Sequence, residues 1–251
     1  ITHAINEQDT PSIPRGKCAR FAGKAGTYSN ISGEKPNEIV VLGKSTQGRN
    51  IFAEHWGSRS GPQILVIGQV HGNECTPSYL VHELRANPSD DVGVWIIPTL
   101  NPDGLARHSR KNARGIDLNR DGYRRQAVET RLLFKFVKRY RPVLSVHVHS
   151  PSGWVGHFNG GLAKAACRDI SSRTGLKCSA AGRASHLGGA FLWEGLARHV
   201  AGHESLLVEL PRVSSREASS APRHLVMQAS QKATRTYARE IRRSLLETIA
   251  R

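Results

Sequence analysis

Apolar residues along this chain fall into short runs separated by stretches of helical spacing. Ile64–Val70 (ILVIGQV), Val92–Leu100, Val143–Val148 and Leu206–Leu210 are nearly unbroken apolar segments of strand length. Such runs predict strands buried on both faces. Glu38–Gly43 and Asn50–Trp56 alternate instead, and Ser45-Thr46-Gln47-Gly48 between them predicts a turn joining two strands. Helices are expected over Thr76–Ala86, near Leu162–Thr174 and around Arg223–Ile249. In 124–141 (RRQAVETRLLFKFVKRYR), Val128, Leu132, Leu133, Phe136 and Val137 form one inward stripe, which predicts a basic surface helix rather than a membrane anchor. Strands alternating with helices predict an α/β three-layer sandwich, a twisted mixed and mostly parallel sheet flanked by helices. Ligands in such sheets collect beyond the carboxyl ends of the strands. Residues 1–36, polar and interrupted by proline and glycine, read as an irregular arm before a single domain over 37–251.

Composition narrows the function classes. The 251 residues hold 36 Lys and Arg against 20 Asp and Glu, a net charge of +16. A solvated basic surface explains that balance, and so does a polyanionic partner such as an anionic cell-wall polymer. No RNP, zinc-finger or helix-turn-helix signature is present, so no nucleic-acid partner is expected. No apolar run reaches the ~18–20 residues of a transmembrane segment. The start, Ile1-Thr2-His3, lacks an initiator Met and an apolar leader core, as fits a mature secreted form or a trimmed chain.

Cys18, Cys75, Cys167 and Cys178 form no CxxC pair, which argues against a tetrathiolate zinc site. Gly175 is placed to end the helix carrying Cys167. The helix rises about 12 Å between them. A reversal there returns roughly 10 Å by Cys178, so a Cys167–Cys178 disulfide is expected. The alternative is two unrelated cysteines, one under the helix and one in a following strand. Cys75 reads as a small buried residue; a Cys18–Cys75 bridge is the alternative, without support in the sequence.

Candidate chemistry sits at the strand ends. The Ile64–Val70 run leads into His71-Gly72-Asn73-Glu74, where an imidazole and a carboxylate three residues apart can share one cation. Taken alone, that pair also suits a helix start with Glu74 near the dipole. Val143–Val148 adds His147 and, one residue beyond it, His149, which alternate toward one face; imidazoles closing a buried strand need partners. Two His and one Glu leave a fourth zinc position open for catalysis. His149 is expected to support the ligands from behind, to face away, or to line the pocket. Asn101-Pro102-Asp103-Gly104 and the loop Arg110–Arg120 follow; beside a metal, their guanidinium groups suit a carboxylate receptor. Glu209 lies among Leu206, Leu207, Val208 and Leu210, where burial would raise its pKa and fit it for proton transfer.

Together these residues resemble the zinc metallocarboxypeptidase family from about Gly43 to Leu210. The motifs are Gly43-Lys44-Ser45-Thr46-Gln47-Gly48-Arg49, the HxxE of His71 and Glu74, the NPDG of Asn101–Gly104, the DLNR of Asp117–Arg120, the later histidine matched to His147, and the strand-closing Glu209. The resemblance implies one zinc ion on His71, Glu74 and His147. It implies water activated by zinc and Glu209, which attacks a carbonyl polarised by the metal and Arg110; Arg107 and Arg114 lie close to Arg110 in sequence. Asn119 and Arg120 would hold a substrate carboxylate.

The short stretch from Glu74 to His147, and the run RKNARGIDLNR, look most like murein peptide amidases, bacterial enzymes that cut between γ-D-glutamate and diaminopimelate in peptidoglycan stem peptides. The digestive carboxypeptidases carry a tyrosine in a specificity loop; the comparable stretch His186–Trp193 has none, which leaves the substrate-side donor unassigned, with His186 a candidate and an exposed loop histidine without a role the alternative. The expectation is a monomeric, secreted or periplasmic bacterial enzyme acting on a stem peptide or another peptide with a free carboxylate. The alternatives are a general C-terminal metallocarboxypeptidase, an aspartoacylase-like deacylase, and a catalytically inactive module that binds wall peptides.

Overall fold

The computed structural model describes residues 35–158, 160–180, 191–211 and 223–251. Most of the N-terminal arm, and His186, therefore lie outside the described residues. The described elements form one eight-stranded sheet in the order β1-β2-β4-β3-β5-β8-β6-β7. Its strands are β1 (Glu38–Lys44), β2 (Asn50–Gly57), β3 (Gln63–Ile67), β4 (Gly93–Ile97), β5 (Leu144–His149), β6 (Trp154–Phe158), β7 (Lys177–Ala180) and β8 (Glu204–Glu209). The centre is parallel: β4, β3, β5 and β8 run together, and β6 pairs in parallel with β7. The pairs β1–β2, β2–β4 and β6–β8 are antiparallel.

Alternation along the central strands divides the core into two layers. Ile64, Val66, Val146, Val148, Leu206 and Val208 face α1 (Pro77–Ala86), α4 (Gly161–Thr174) and α6 (Arg223–Ile249). Leu65, Ile67, Trp95 and Ile97 face α3 (Val128–Tyr140) and α5 (Leu192–His199). With every second residue turned each way, the central strands show continuous apolar runs. This is the expected α/β sandwich with a mixed sheet. On β5 and β8, the α3/α5 face is left to Ser145, His147, His149, Ser205, Leu207 and Glu209, so that face turns polar toward its carboxyl end.

Two sequence motifs prove to brace this end of the sheet. Asp103 is fully buried and accepts hydrogen bonds from Ser45 Oγ at 2.8 Å, Gln47 N at 3.0 Å and Arg49 Nη1 at 2.7 Å, which fastens the β1–β2 turn to α2 (Pro102–Arg107). Asn101 caps α2 by accepting from Gly104 N at 2.8 Å, and its amide donates to Val70 O at 3.3 Å. Gly72 has to be glycine, because a Cβ there would stand 2.0 Å from the Gly104 backbone carbon. The close approach holds the chain that carries His71 and Glu74 against α2.

Cys167 of α4 and Cys178 of β7 form a disulfide with Cα atoms 5.6 Å apart, as expected. Gly175 ends α4 in the left-handed conformation (φ 73°), making the reversal that brings the two together. Cys75 is disulfide-bonded too, contrary to the expectation of a small buried residue; Cys18 lies outside the described residues. Among the described residues no helix is long and apolar enough to cross a membrane.

Candidate metal centre

The chain leaves β3 through Val70 and delivers His71 and Glu74 above the carboxyl end of the sheet, before α1 begins at Pro77. Glu74 thus precedes the helix and is engaged by imidazoles: His71 Nδ1 lies 2.6 Å from its Oε1, and His149 Nδ1 lies 3.1 Å from its Oε2. The two Nδ1 atoms are 3.2 Å apart. His71, Glu74 and His149 are all buried, and their ligand atoms lie within 4.8 Å of one another.

This corrects the assignment of the third residue. His147 and His149 do share a face, but His147 stands opposite Ile67 of β3, well short of His71, whereas His149 closes β5 at the sheet edge. His147 is turned into a different network: its Nε2 lies 3.2 Å from Ser145 Oγ, which also meets Ser205 Oγ at 3.0 Å and His203 Nε2 at 2.9 Å. Complete burial, with His149 and His203 nearby, pushes the pKa of His147 well below the usual imidazole value, so it is neutral.

The donor set fits zinc. Two imidazole nitrogens and a carboxylate converge on one point, the His₂Glu set of catalytic zinc sites with a fourth position open. The 3.2 Å between the two Nδ1 atoms matches the ligand–ligand edge of a tetrahedral site, about 3.3 Å for Zn–N bonds near 2.0–2.1 Å. Asp117 Oδ1 lies 3.1 Å from His71 Nε2, so with a cation in the cluster it would keep the proton of neutral His71 on Nε2 and free the Nδ1 lone pair for the metal. Burial opposes ionisation of Glu74, yet the hydrogen bonds from His149 and His71 bring its pKa down to about 2. Burial likewise opposes charge on Asp117, and His71 and Arg110 hold it well below the carboxylate range. For His71 burial disfavours protonation, but Asp117 and Glu74 outweigh it and raise the pKa. Two ionised carboxylates around one imidazole make a site that calls for a cation. Sequence reasoning quoted Asp117 only as part of DLNR and gave it no role.

Glu209 is the register partner of His149 in the neighbouring parallel strand, so both side chains leave the sheet on one face. It sits half-buried at the strand end rather than inside the apolar strand, with Ser152 N 3.4 Å from its Oε2. Of the three arginines considered, Arg110 flanks the cluster: its Nε donates to Asp117 Oδ2 at 3.0 Å and its Nη1 lies 3.8 Å from Glu74 Oε1. Arg107 ends α2 in the open, and Arg114 reaches Gln126 O at 3.5 Å. Arg120 stacks with Cζ 4.5 Å above the Phe191 ring, and its Nη1 donates to Asn119 O at 3.1 Å. Stacking occupies the plane of the guanidinium and leaves part of its edge for a ligand. Asn119 is buried, and its Oδ1 accepts from Leu192 N at 3.3 Å, tying the DLNR turn to the start of α5.

Residues 27–126 match the zinc carboxypeptidase family, Peptidase_M14. Carboxypeptidase SOL1 of Arabidopsis thaliana is 31% identical over 105 residues, which are 35% of this chain and 21% of that protein. Metallocarboxypeptidase A of Trichophyton tonsurans is 34% identical over 116 residues, 34% of this chain and 28% of that protein. The matched part is thus well under half of either relative. In fold, carboxypeptidase A from Helicoverpa armigera superposes with a TM-score of 0.66 at 17% identity, covering 84% of this chain and 68% of that one. The murein-tripeptide amidase MpaA from Escherichia coli O157 superposes with a TM-score of 0.56 at 20% identity, covering 80% of this chain and 94% of that one. Residues 27–126 thus match the zinc carboxypeptidase family, and the fold over most of the chain is similar to that of solved carboxypeptidases.

Proposed function

We propose that this chain is a zinc-dependent amide hydrolase, and that its substrate is a peptidoglycan stem peptide cut at the γ-D-glutamyl-diaminopimelate bond. The observation that carries the hydrolase reading is the convergence of His71, Glu74 and His149 with Glu209 on the same face of the next strand. Zinc held there supplies Lewis acidity toward a carbonyl oxygen and lowers the pKa of water. Glu209, open to solvent on one side, takes a proton from the attacking water and returns it to the leaving amine nitrogen. Arg110 directs positive charge at the carbonyl oxygen as it becomes negative, while Asp117 fixes both Arg110 and His71. Arg120, braced on Phe191, binds the carboxylate of the residue beyond the cut.

The stem-peptide reading draws on the overlap in fold. The overlap in fold takes in 94% of the murein-tripeptide amidase but 68% of the insect carboxypeptidase. General C-terminal trimming is the second reading, favoured by the carboxypeptidase names of the curated relatives. An oxidising location, secreted or periplasmic, is part of the proposal and is supported by the Cys167–Cys178 disulfide. Incubation of zinc-loaded protein with L-Ala-γ-D-Glu-diaminopimelate, followed by mass spectrometry, tests the reading. Release of free diaminopimelate is expected. Release of C-terminal residues from ordinary α-linked peptides, with the tripeptide left intact, would replace it with the second reading.

A further inference from the structure

The two helical layers differ in charge. On the α1, α4 and α6 side, cations stand among solvent-accessible carboxylates: Arg173 is paired with Asp169 and Glu247, and Arg243 with Glu247, while Lys164, Arg168, Lys232, Arg235 and Arg239 are exposed and make no ion pair among the described residues. On the α3 side, Arg124, Arg131, Lys135, Lys138, Arg139 and Arg141 are all exposed. None of them is ion-paired among the described residues. The acids of this layer point inward: Glu129 is fully buried against Asn112, and Glu194 of α5 is buried and bonded to Arg198. Arg131, Lys135, Lys138 and Arg139 recur at helical spacing opposite the apolar stripe, so they share one face of α3. The charged stripe from Arg131 to Arg139 is about 12 Å long at the helical rise.

Arg198 of α5, held by Glu194 at 3.0 Å, and His199 flank the same surface. Burial first, then Arg125, Lys138 and Arg198, depress the pKa of His199, which places cations from two helices and a loop around one side chain. Like charges at these spacings repel one another, and among the described residues no carboxylate pairs with those of α3.

We propose that the α3/α5 face is a docking surface for a linear anionic polysaccharide, a role separate from hydrolysis at the sheet end. A lipid surface fits less well, because the exposed large apolar side chains beside the face are Tyr123 and Val143, at opposite ends of α3. Single-stranded nucleic acid fits less well too, since it calls for aromatic platforms and Tyr123 packs edge-on against His199 at 5.4 Å. A polymer bound through charge and hydrogen bonds alone matches what is presented.

The test compares two variants that each remove three charges. One is Lys135→Ala/Lys138→Ala/Arg139→Ala on α3, and the other is Lys232→Ala/Arg235→Ala/Arg239→Ala on exposed sites of α6. Binding to heparin, used as the anionic polysaccharide, is measured across a salt series, and thermal unfolding checks that each variant is folded. Lys135→Gln/Lys138→Gln replaces the α3 triple if that triple unfolds. The α3 variant is expected to bind roughly 10–100-fold more weakly near 0.15 M salt, with a flatter salt slope, while the α6 variant changes less than about threefold. Equal losses in both would show that net charge alone acts and would overturn the docking face, as would absence of heparin binding in the parent protein. Tighter binding to duplex DNA or to anionic phospholipid vesicles, with the same dependence on α3, would overturn the polysaccharide assignment. Every readout is binding, so loss of the hydrolase reading leaves this result standing, and the reverse holds.

Discussion

His149 and Glu209 are register partners at the ends of adjacent parallel strands, β5 and β8, and project from the same face of the sheet. The backbone thereby sets an imidazole of the metal cluster beside a carboxylate that is no part of the cluster. Glu209→Gln preserves shape and should leave zinc content unchanged while lowering kcat by about 10²–10⁴-fold. Turnover within a few-fold of the parent enzyme would place proton transfer on another group.

Arg120 offers a fork of donors whose plane is fixed by Phe191. Arg120→Ala should raise KM for a substrate with a free carboxylate beyond the cut by roughly 10–100-fold, and change KM for the amidated substrate little. Arg120→Lys keeps the charge without the fork and should fall between the two. Equal effects on both substrates would remove the carboxylate clamp.

Glu129 makes a stability prediction independent of catalysis. It is fully buried, accepts from Asn112 Nδ2 at 3.0 Å, and among the described residues has no partner for Oε1. Burial is the main cause of its raised pKa. A carboxyl whose folded pKa exceeds its unfolded pKa binds more protons when folded, so stability falls as pH rises from about 4.5 through the folded value. Glu129→Gln keeps an acceptor for Asn112 and carries no charge. Its thermal midpoint should exceed that of the parent at pH 8, with the gap closing at pH 4. A lower midpoint at pH 8 would contradict the account.

The central strands and the long helices were legible because burial on two faces, or on one stripe, writes itself into the apolar pattern. β6, β7 and α5 were not: Trp154–Phe158 carries Gly156 and His157, Lys177–Ala180 has four residues, and α5 is eight residues of mixed polarity. His71 and Glu74 could be read from their spacing at a strand end. The choice between His147 and His149 could not be made from alternation, since both satisfy it; register against β3 decides it, and register is a tertiary quantity. The signal at hand was position: in His147-Val148-His149 the second histidine is nearer the strand end, where ligands gather. Asp103 and Asn101 looked like chemistry because their motif sits beside the site, yet they brace the loops that hold it.

The central claim is that His71, Glu74 and His149 hold one zinc ion, and it is tested most directly by metal content. Zinc per chain should be measured after dialysis for the parent protein, His149→Ala and His147→Ala, each checked for folding. One equivalent is expected in the parent and in His147→Ala, and almost none in His149→Ala. Full zinc in His149→Ala, with loss in a folded His147→Ala, would contradict the geometry and return the site to His147.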